Sequence, residues 1–173
     1  MKTKSSAVDS HPGDILDLIL DDHKDLKRLL KILKDPETDI GDRYAAFEEF
    51  GHLLVMHAKP EEQTLYVDMK KNQDMRIDGM EGEVEHSIAE NLLKDAQKTK
   101  DEDLWSAKVK VLAELVDHHI KEEEEDMFPQ YKKKSDKKTR QELGEKYMQL
   151  KSKMGKVDPM FGGDGIHQSA AAY

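Results

Sequence analysis

Cysteine is absent from the 173 residues. That excludes disulfide frameworks, thiolate zinc sites, iron–sulfur clusters and a cysteine nucleophile, and it leaves nitrogen and oxygen as the strong metal donors. A chain without thiols suits a reducing compartment, so a cytoplasmic protein is the expectation. Long apolar runs are missing too. No stretch approaches the ~18 residues of a membrane-spanning helix, and the polar opening MKTKSSAVDSHPGD has no signal-peptide hydrophobic segment. There is no basic excess: 28 Lys+Arg stand against 37 Asp+Glu, a net charge of −9. Nucleic-acid binding would need a basic face or stripe, so neither a nucleic acid nor a membrane is expected as partner.

Aromatic residues are also scarce at 6%, while charged residues reach 38%. Disorder is nevertheless not the expectation, because apolar residues keep helical spacing. Ile15, Leu18, Ile19, Leu26, Leu29, Leu30 and Leu33 recur at short helical steps. They predict a helix from Asp14, a candidate N-cap, to about Lys34, ended by Asp35-Pro36. A second helix begins near Asp39, with Tyr44, Phe47, Phe50, Leu54, His57, Leu65 and Met69 on one side. Pro60 inside it predicts a kink or break. Asn72 to Gly82, with two glycines, reads as a loop before a third helix from about Glu83 to Lys98. A fourth runs from Asp101 through Val111, Leu112 and His119 to Met127, with Pro129 as its end, and a fifth runs from Lys137 to about Lys156. The expectation is an all-α protein: an extension over 1–13, an up-down-up-down antiparallel four-helix bundle over 14–131, a C-terminal helix within 135–156 and a flexible tail over 157–173.

An internal repeat bears on chemistry. His57-Ala-Lys-Pro-Glu61-Glu62-Gln-Thr-Leu65-Tyr66 parallels His119-Ile-Lys-Glu-Glu123-Glu124-Glu-Asp-Met127-Phe128, and Lys70-Lys71 and Lys132-Lys133 follow at the same offset. Upstream, Asp22-His23 answers Glu85-His86. The two helix pairs are thus related by a pseudo-two-fold. Each of these histidines belongs to its helix's apolar stripe. His57 and Glu61, His119 and Glu123, and His86 and Glu90 are spaced i and i+4, so each pair projects from one face. A buried set of four imidazoles and three carboxylates is costly unless its members are paired or bind a cation. Suppose each His supplies one bond, Glu61 and Glu123 bridge two ions, Glu90 binds one, and an oxide or hydroxide bridges. Two six-coordinate ions are then one ligand short, the open position that small-molecule binding requires. Such ligation suits iron or manganese, with zinc as a substitute.

Register in the fourth helix is open, because His118 and His119 are adjacent and Glu122 to Glu125 form a run that could be a solvated face. The Lys-Lys and aromatic offsets select His119 and Glu123, with His118, Glu122 and Glu124 as the alternatives. His52 points elsewhere, His11 and His167 lie near the termini, and the methionines read as core or loop fillers. Tyr66 and Phe128 read as residues that close the bundle around the site.

In order, spacing and flanking residues, Asp-His at 22–23, His-x3-Glu-Glu at 57–62, Glu-His at 85–86 and His-x3-Glu-Glu-x3-Phe-Pro at 119–129 resemble the hemerythrin-like His-His-Glu cation-binding family over about residues 14–131. The resemblance implies a non-haem di-iron site bridged by Glu61 and Glu123, with His23, His57, His86 and His119 as ligands. Oxygen-carrying members have a second histidine on the third helix where this chain has Glu90. A carboxylate there adds negative charge and favours the ferric state. The expectation is therefore a protein that binds or senses O2, NO or H2O2 rather than an oxygen carrier. A peroxide-decomposing enzyme and an iron-storage or iron-centre repair partner are the alternatives.

Overall fold

The computed structural model describes residues 13–156. The expected tail over 157–173, and all but the last residue of the N-terminal extension, lie outside the described residues. Within them the chain is helical, and no strand occurs among the described residues. The long helices are α1 (Ile15–Lys34), α2 (Ile40–Glu62), α4 (Arg76–Gln97), α5 (Glu102–Glu122) and α7 (Lys137–Met154). A short α3 (Leu65–Met69) follows α2, and a π-helical turn, Glu123–Met127, joins α5 to α6 (Phe128–Lys134). Aspartates start four of these helices. Asp14, Asp39, Asp101 and Asp136 each accept a hydrogen bond from a first-turn amide, that of Leu16, Gly41, Leu104 and Thr139 respectively.

Helix α1 packs on α2 and α5, and α4 packs on α5 and α2, so four helices enclose one interior. α7 lies against α1 and α2. The interior is divided. Leu26, Leu29, Leu30, Leu33, Phe47, Phe50, Leu93, Trp105, Val109 and Leu112 belong to one apolar cluster. Ile15, Leu16, Ile19, Leu65, Tyr66, Met69, Met75, Phe128 and Tyr147 belong to the other. Along α1 the boundary falls between Ile19 and Leu26, at His23. Burying such side chains contributes about 1.5–3 kcal/mol each, enough to hold a polar layer between the two clusters.

Three features differ from the pattern-based expectation. α4 starts at Arg76, about two turns before Glu83, and both glycines of the expected loop lie inside it. A Cβ on Gly82 would stand 2.6 Å from the Tyr66 ring and hydroxyl, so this glycine makes room for a buried side chain rather than a turn. α2 runs through Pro60 and ends two residues later. The interruption falls at Gln63–Thr64, where the Thr64 hydroxyl donates to the Pro60 carbonyl at 2.6 Å. Pro129 does not end the fourth helical segment either. The π turn precedes it, so its missing amide falls in the first turn of α6, where proline is tolerated.

Gly82→Ala should force the Tyr66 ring to shift and lower stability by about 1–3 kcal/mol. Gly155→Ala, whose Cβ would meet nothing closer than 3.5 Å, should be close to neutral in the same chemical denaturation series. Equal effects from the two would refute the packing role of Gly82.

Candidate metal centre

Helical spacing brings six of the seven candidate residues into the polar layer. His23 (α1), His57 and Glu61 (α2), His86 (α4), His119 (α5) and Glu123 (the π turn) are all buried, the two glutamates completely. The inner ring nitrogens face the two carboxylates. His23 Nε2 is 3.2 Å and His119 Nε2 3.5 Å from Glu123 Oε2. His57 Nε2 is 3.3 Å and His86 Nε2 3.8 Å from Glu61 Oε2. The imidazoles of His86 and His119 meet Nε2 to Nε2 at 2.9 Å. Each carboxylate thus serves one histidine of its own helical segment and one from another helix, and the arrangement repeats across the pseudo-two-fold.

The outer nitrogens face a second ring of acids. Glu124 stands 3.0 Å from His23 Nδ1, Glu62 3.3 Å from His86 Nδ1, Glu85 2.5 Å from His119 Nδ1 and Asp22 3.9 Å from His57 Nδ1. These acids are the residues beside the inner ones in the repeat: the aspartate or glutamate before the first histidine, and the second glutamate of each Glu-Glu pair. Their place beside the inner residues in both copies of the repeat is a signal visible in the sequence, where Glu124 reads as an alternative ligand and the other three as flanking residues. A carboxylate on the outer nitrogen fixes ring orientation and directs the inner lone pair to a metal.

Two aromatic side chains close the layer at equivalent repeat positions. Phe128 stacks on His23, with centroids 5.8 Å apart. Tyr66 packs beside His86, and its hydroxyl donates to Glu123 Oε1 at 2.5 Å, with His119 Nε2 3.3 Å away.

Two carboxylates in one buried layer cannot both stay charged cheaply. Burial, then the neighbouring charge of Glu123, pushes Glu61 well above the usual carboxylate range. Burial also works against Glu123, but the charges of His119 and His23 outweigh it and hold it low. Burial, reinforced by the charge of His23, drives His57 well below the usual imidazole range, and burial lowers His86. Neutral imidazoles are the ligand form. Burial and the charges of Glu123 and Glu61 push Tyr66 up, so its hydroxyl keeps its proton.

Whether a cation fits can be judged from polar atoms that lack partners. His23 Nε2, His57 Nε2, both Glu61 oxygens and Glu123 Oε2 are buried without a hydrogen-bond partner among the described residues. Each such atom costs about 1–3 kcal/mol if nothing compensates it. Donor atoms of His23, His57 and Glu123, and again of His57, Glu61 and His86, lie within 4.8 Å of one another. Nitrogen and oxygen donors converging in this way fit one or more metal ions.

Glu90 is not brought to this cluster. The buried line of α4 passes through Gly82, His86, Ala89, Leu93 and Ala96. Glu90 lies beside that line at the helix edge, where its oxygens meet Lys59 at 2.6 Å and Lys94 at 2.5 Å. An i+4 relation to His86 therefore did not suffice, because the inward path steps by three at that point. Register in α5 is unambiguous: His119 and Glu123 face the interior, whereas His118 is exposed and pairs with Glu122 on the surface. Glu124 faces the outer nitrogen of His23, not the inner layer. His52 is half-buried and outside the cluster, and His11 and His167 lie outside the described residues.

The model of the hemerythrin HHE cation binding domain matches residues 14–131, and the chain belongs to that family. Comparison with curated proteins and with solved structures gave no match. A family defined by cation binding accounts for the partnerless inner atoms. No helix among the described residues is long and apolar enough to cross a membrane.

The two shells predict different mutational effects. His119→Ala should reduce the metal bound per chain, measured by elemental analysis, whereas His118→Ala should leave it unchanged. Glu62→Gln and Glu124→Gln should weaken metal binding about 10–100-fold in competition with a chelator. Unchanged affinity in both would refute the orienting role of the outer ring.

Proposed function

We propose that this chain binds two iron ions, with an oxide or hydroxide between them, and uses an open iron position to bind or sense O2, NO or H2O2. The ligands in this reading are His23, His57, Glu61, His86, His119 and Glu123, with Glu61 and Glu123 as the shared acids. The observation that supports it best is the convergence of four imidazole Nε2 atoms on two buried carboxylates, of which both Glu61 oxygens and Glu123 Oε2 have no hydrogen-bond partner among the described residues. Glu90 has no part in it, so its charge gives no ground for a bias toward ferric iron, and more than one coordination position is open to exogenous ligands. The packing of each helix on its sequence neighbour and on one other helix supports an up-down-up-down order for the bundle.

The protein's own residues define what such a centre could admit. A narrow cleft lined by Leu54, Ala89, Leu115 and Val116 reaches His57, His86 and His119. Its narrow, largely apolar wall, with Glu85 at its border, suits a small uncharged molecule better than a larger polar substrate. Iron, when bound, supplies electron exchange with such a molecule. Glu61 and Glu123 balance the cationic charge, the outer acids keep the imidazoles aligned, and the apolar clusters on either side exclude bulk water.

A second reading, peroxide decomposition by the same site, is favoured by Tyr66. Its hydroxyl sits against Glu123 and His119 and retains its proton, which makes it a donor poised at the inner layer.

Anaerobic loading with ferrous iron should give two ions per chain, with manganese and zinc competing for the same positions. Admission of air or NO should then produce a charge-transfer absorption band; one ion or none per chain would refute the di-iron reading. Oxygen evolution from H2O2 by the loaded protein decides between binding and turnover, and Tyr66→Phe should slow any turnover without changing iron content. At a free metal concentration 1,000-fold above Kd, linkage should stabilise the fold by about 4 kcal/mol, read as a rise in Tm. A melting temperature indifferent to metal would indicate a polar core alone.

A further inference from the structure

Helix α7 lies outside the residues matched by the family model, yet two of its side chains reach the centre. Tyr147 is fully buried, and its hydroxyl donates to Asp22 Oδ2 at 2.5 Å. The Lys151 ammonium is 2.5 Å from both Asp22 oxygens. Asp22 is the acid behind His57, but its Oδ2 stops 3.9 Å short of His57 Nδ1. That is beyond hydrogen-bond range, and His57 Nδ1 is buried with no hydrogen-bond partner among the described residues.

The other copy of the repeat shows the alternative. Glu85, the counterpart of Asp22, meets His119 Nδ1 at 2.5 Å. No tyrosine or lysine among the described residues engages Glu85; the cleft it lines is bordered by Asp78, Glu81, Glu122 and Asp126. Asp22 and Glu85 thus differ in what opposes them, and of these two equivalent acids the one held by α7 stands off its imidazole; Glu62, 3.3 Å from His86 Nδ1, makes no hydrogen bond to it but lies closer than Asp22 does to His57.

The position of α7 is fixed independently of this contact. Arg140 is buried, donates to Asp14 Oδ2 at 2.7 Å, and also caps the Ser135 carbonyl at 2.7 Å. One turn on, α7 crosses the start of α1 so closely that a Cβ on Gly144 would stand 2.0 Å from the Gly13 carbonyl oxygen. Tyr147 and Lys151 follow Gly144 on the same face of the helix.

We propose that α7 makes the two halves of the metal centre inequivalent by holding Asp22 away from His57, with Tyr147 and Lys151 as positioning residues. A carboxylate hydrogen-bonded to the outer nitrogen raises the donor strength of a ligating imidazole. His119 has that bond and His57 lacks it. Removing the two donors on α7 frees Asp22 to turn toward His57, as Glu85 does toward His119. The inference concerns the di-iron site proposed above and rests on that reading for its consequence, while its geometric part does not need iron.

The test uses the full chain as wild type and as Tyr147→Phe, Lys151→Met, the Tyr147→Phe/Lys151→Met double variant, and Lys151→Arg. In metal-free protein, the nitrogen-15 shift of His57 Nδ1 should move toward the hydrogen-bonded value of His119 in the double variant and stay put in Lys151→Arg. In iron-57-loaded protein, wild type should give two distinct Mössbauer doublets that draw together in the double variant at unchanged iron content. Adding Asp22→Asn to the double variant should keep them apart. An unmoved His57 shift, doublets that stay apart in the double variant, or convergence that persists with Asp22→Asn overturns the inference. If circular dichroism finds the double variant unfolded, Tyr147→Phe alone, which removes one oxygen, decides by the same shift. Wild type that binds no iron overturns the di-iron reading, and the metal-free shift then still decides whether α7 positions Asp22.

Discussion

Glu61 and Glu123 lie fully buried beside four imidazoles, between two apolar clusters, and the rest of the molecule is organised around that charge. Carboxylates out of water are costly unless hydrogen-bonded, paired or bound to a cation. Burial and the charge of Glu123 push Glu61 above the usual carboxylate range, while the charges of His119 and His23 outweigh burial and hold Glu123 below it. Both Glu61 oxygens and two inner imidazole nitrogens are without hydrogen bonds among the described residues. A cation relieves that defect. The acids outside the layer follow from the same constraint, because an imidazole that turns its lone pair inward must turn its N–H outward, toward an acceptor.

The duplicated plan explains why so few residue types suffice. Asp22-His23 with His57-x3-Glu61-Glu62, and Glu85-His86 with His119-x3-Glu123-Glu124, each provide two inner imidazoles, one inner carboxylate and two outer acids. The outer acids face histidines on other helices: Glu85 meets His119 and Glu124 meets His23 within hydrogen-bond distance, Glu62 stands 3.3 Å from His86, and Asp22 stands off His57 at 3.9 Å. The layer therefore ties four helices together, and no single helix pair is complete without the other. The two copies also depart from symmetry. Tyr66 brings a hydroxyl where Phe128 brings only a ring. After the first motif the chain breaks at Gln63–Thr64, and after the second it widens into a π turn.

Much of this was legible in the sequence because it rests on periodicity and repetition. Apolar steps and aspartate caps marked the long helices, and the repeat marked six inner residues. What escaped was set by contacts between distant segments. Gly79 and Gly82 read as loop residues until Tyr66 is placed against α4. Pro129 read as a helix end until the π turn ahead of it is known. Glu90 matched the i+4 rule, but that rule defines a broad face, and the neighbouring position Ala89 occupies its centre while Lys59 and Lys94 hold Glu90 at the rim. The outer acids were present in both copies, but adjacency to a ligand in sequence does not say which helix's histidine the side chain will meet.

Helix α7 gives the centre a front and a back. On the side where α1 meets α2 it holds Asp22 with Tyr147 and Lys151, so the outer acid behind His57 is hydrogen-bonded and electrically balanced. On the α4 and α5 side, no tyrosine or lysine among the described residues opposes Glu85, which meets His119 instead. There an acid-lined cleft and the narrow apolar cleft both border Glu85, and the apolar one reaches His57, His86 and His119. Asp22 and Glu85 are similarly exposed, at 21% and 19%, so the two sides differ in the groups that oppose each acid rather than in solvent cover. A four-helix ring with a two-fold repeat has no means of making that distinction; one further helix, clamped to the start of α1 by Arg140 and Gly144, does.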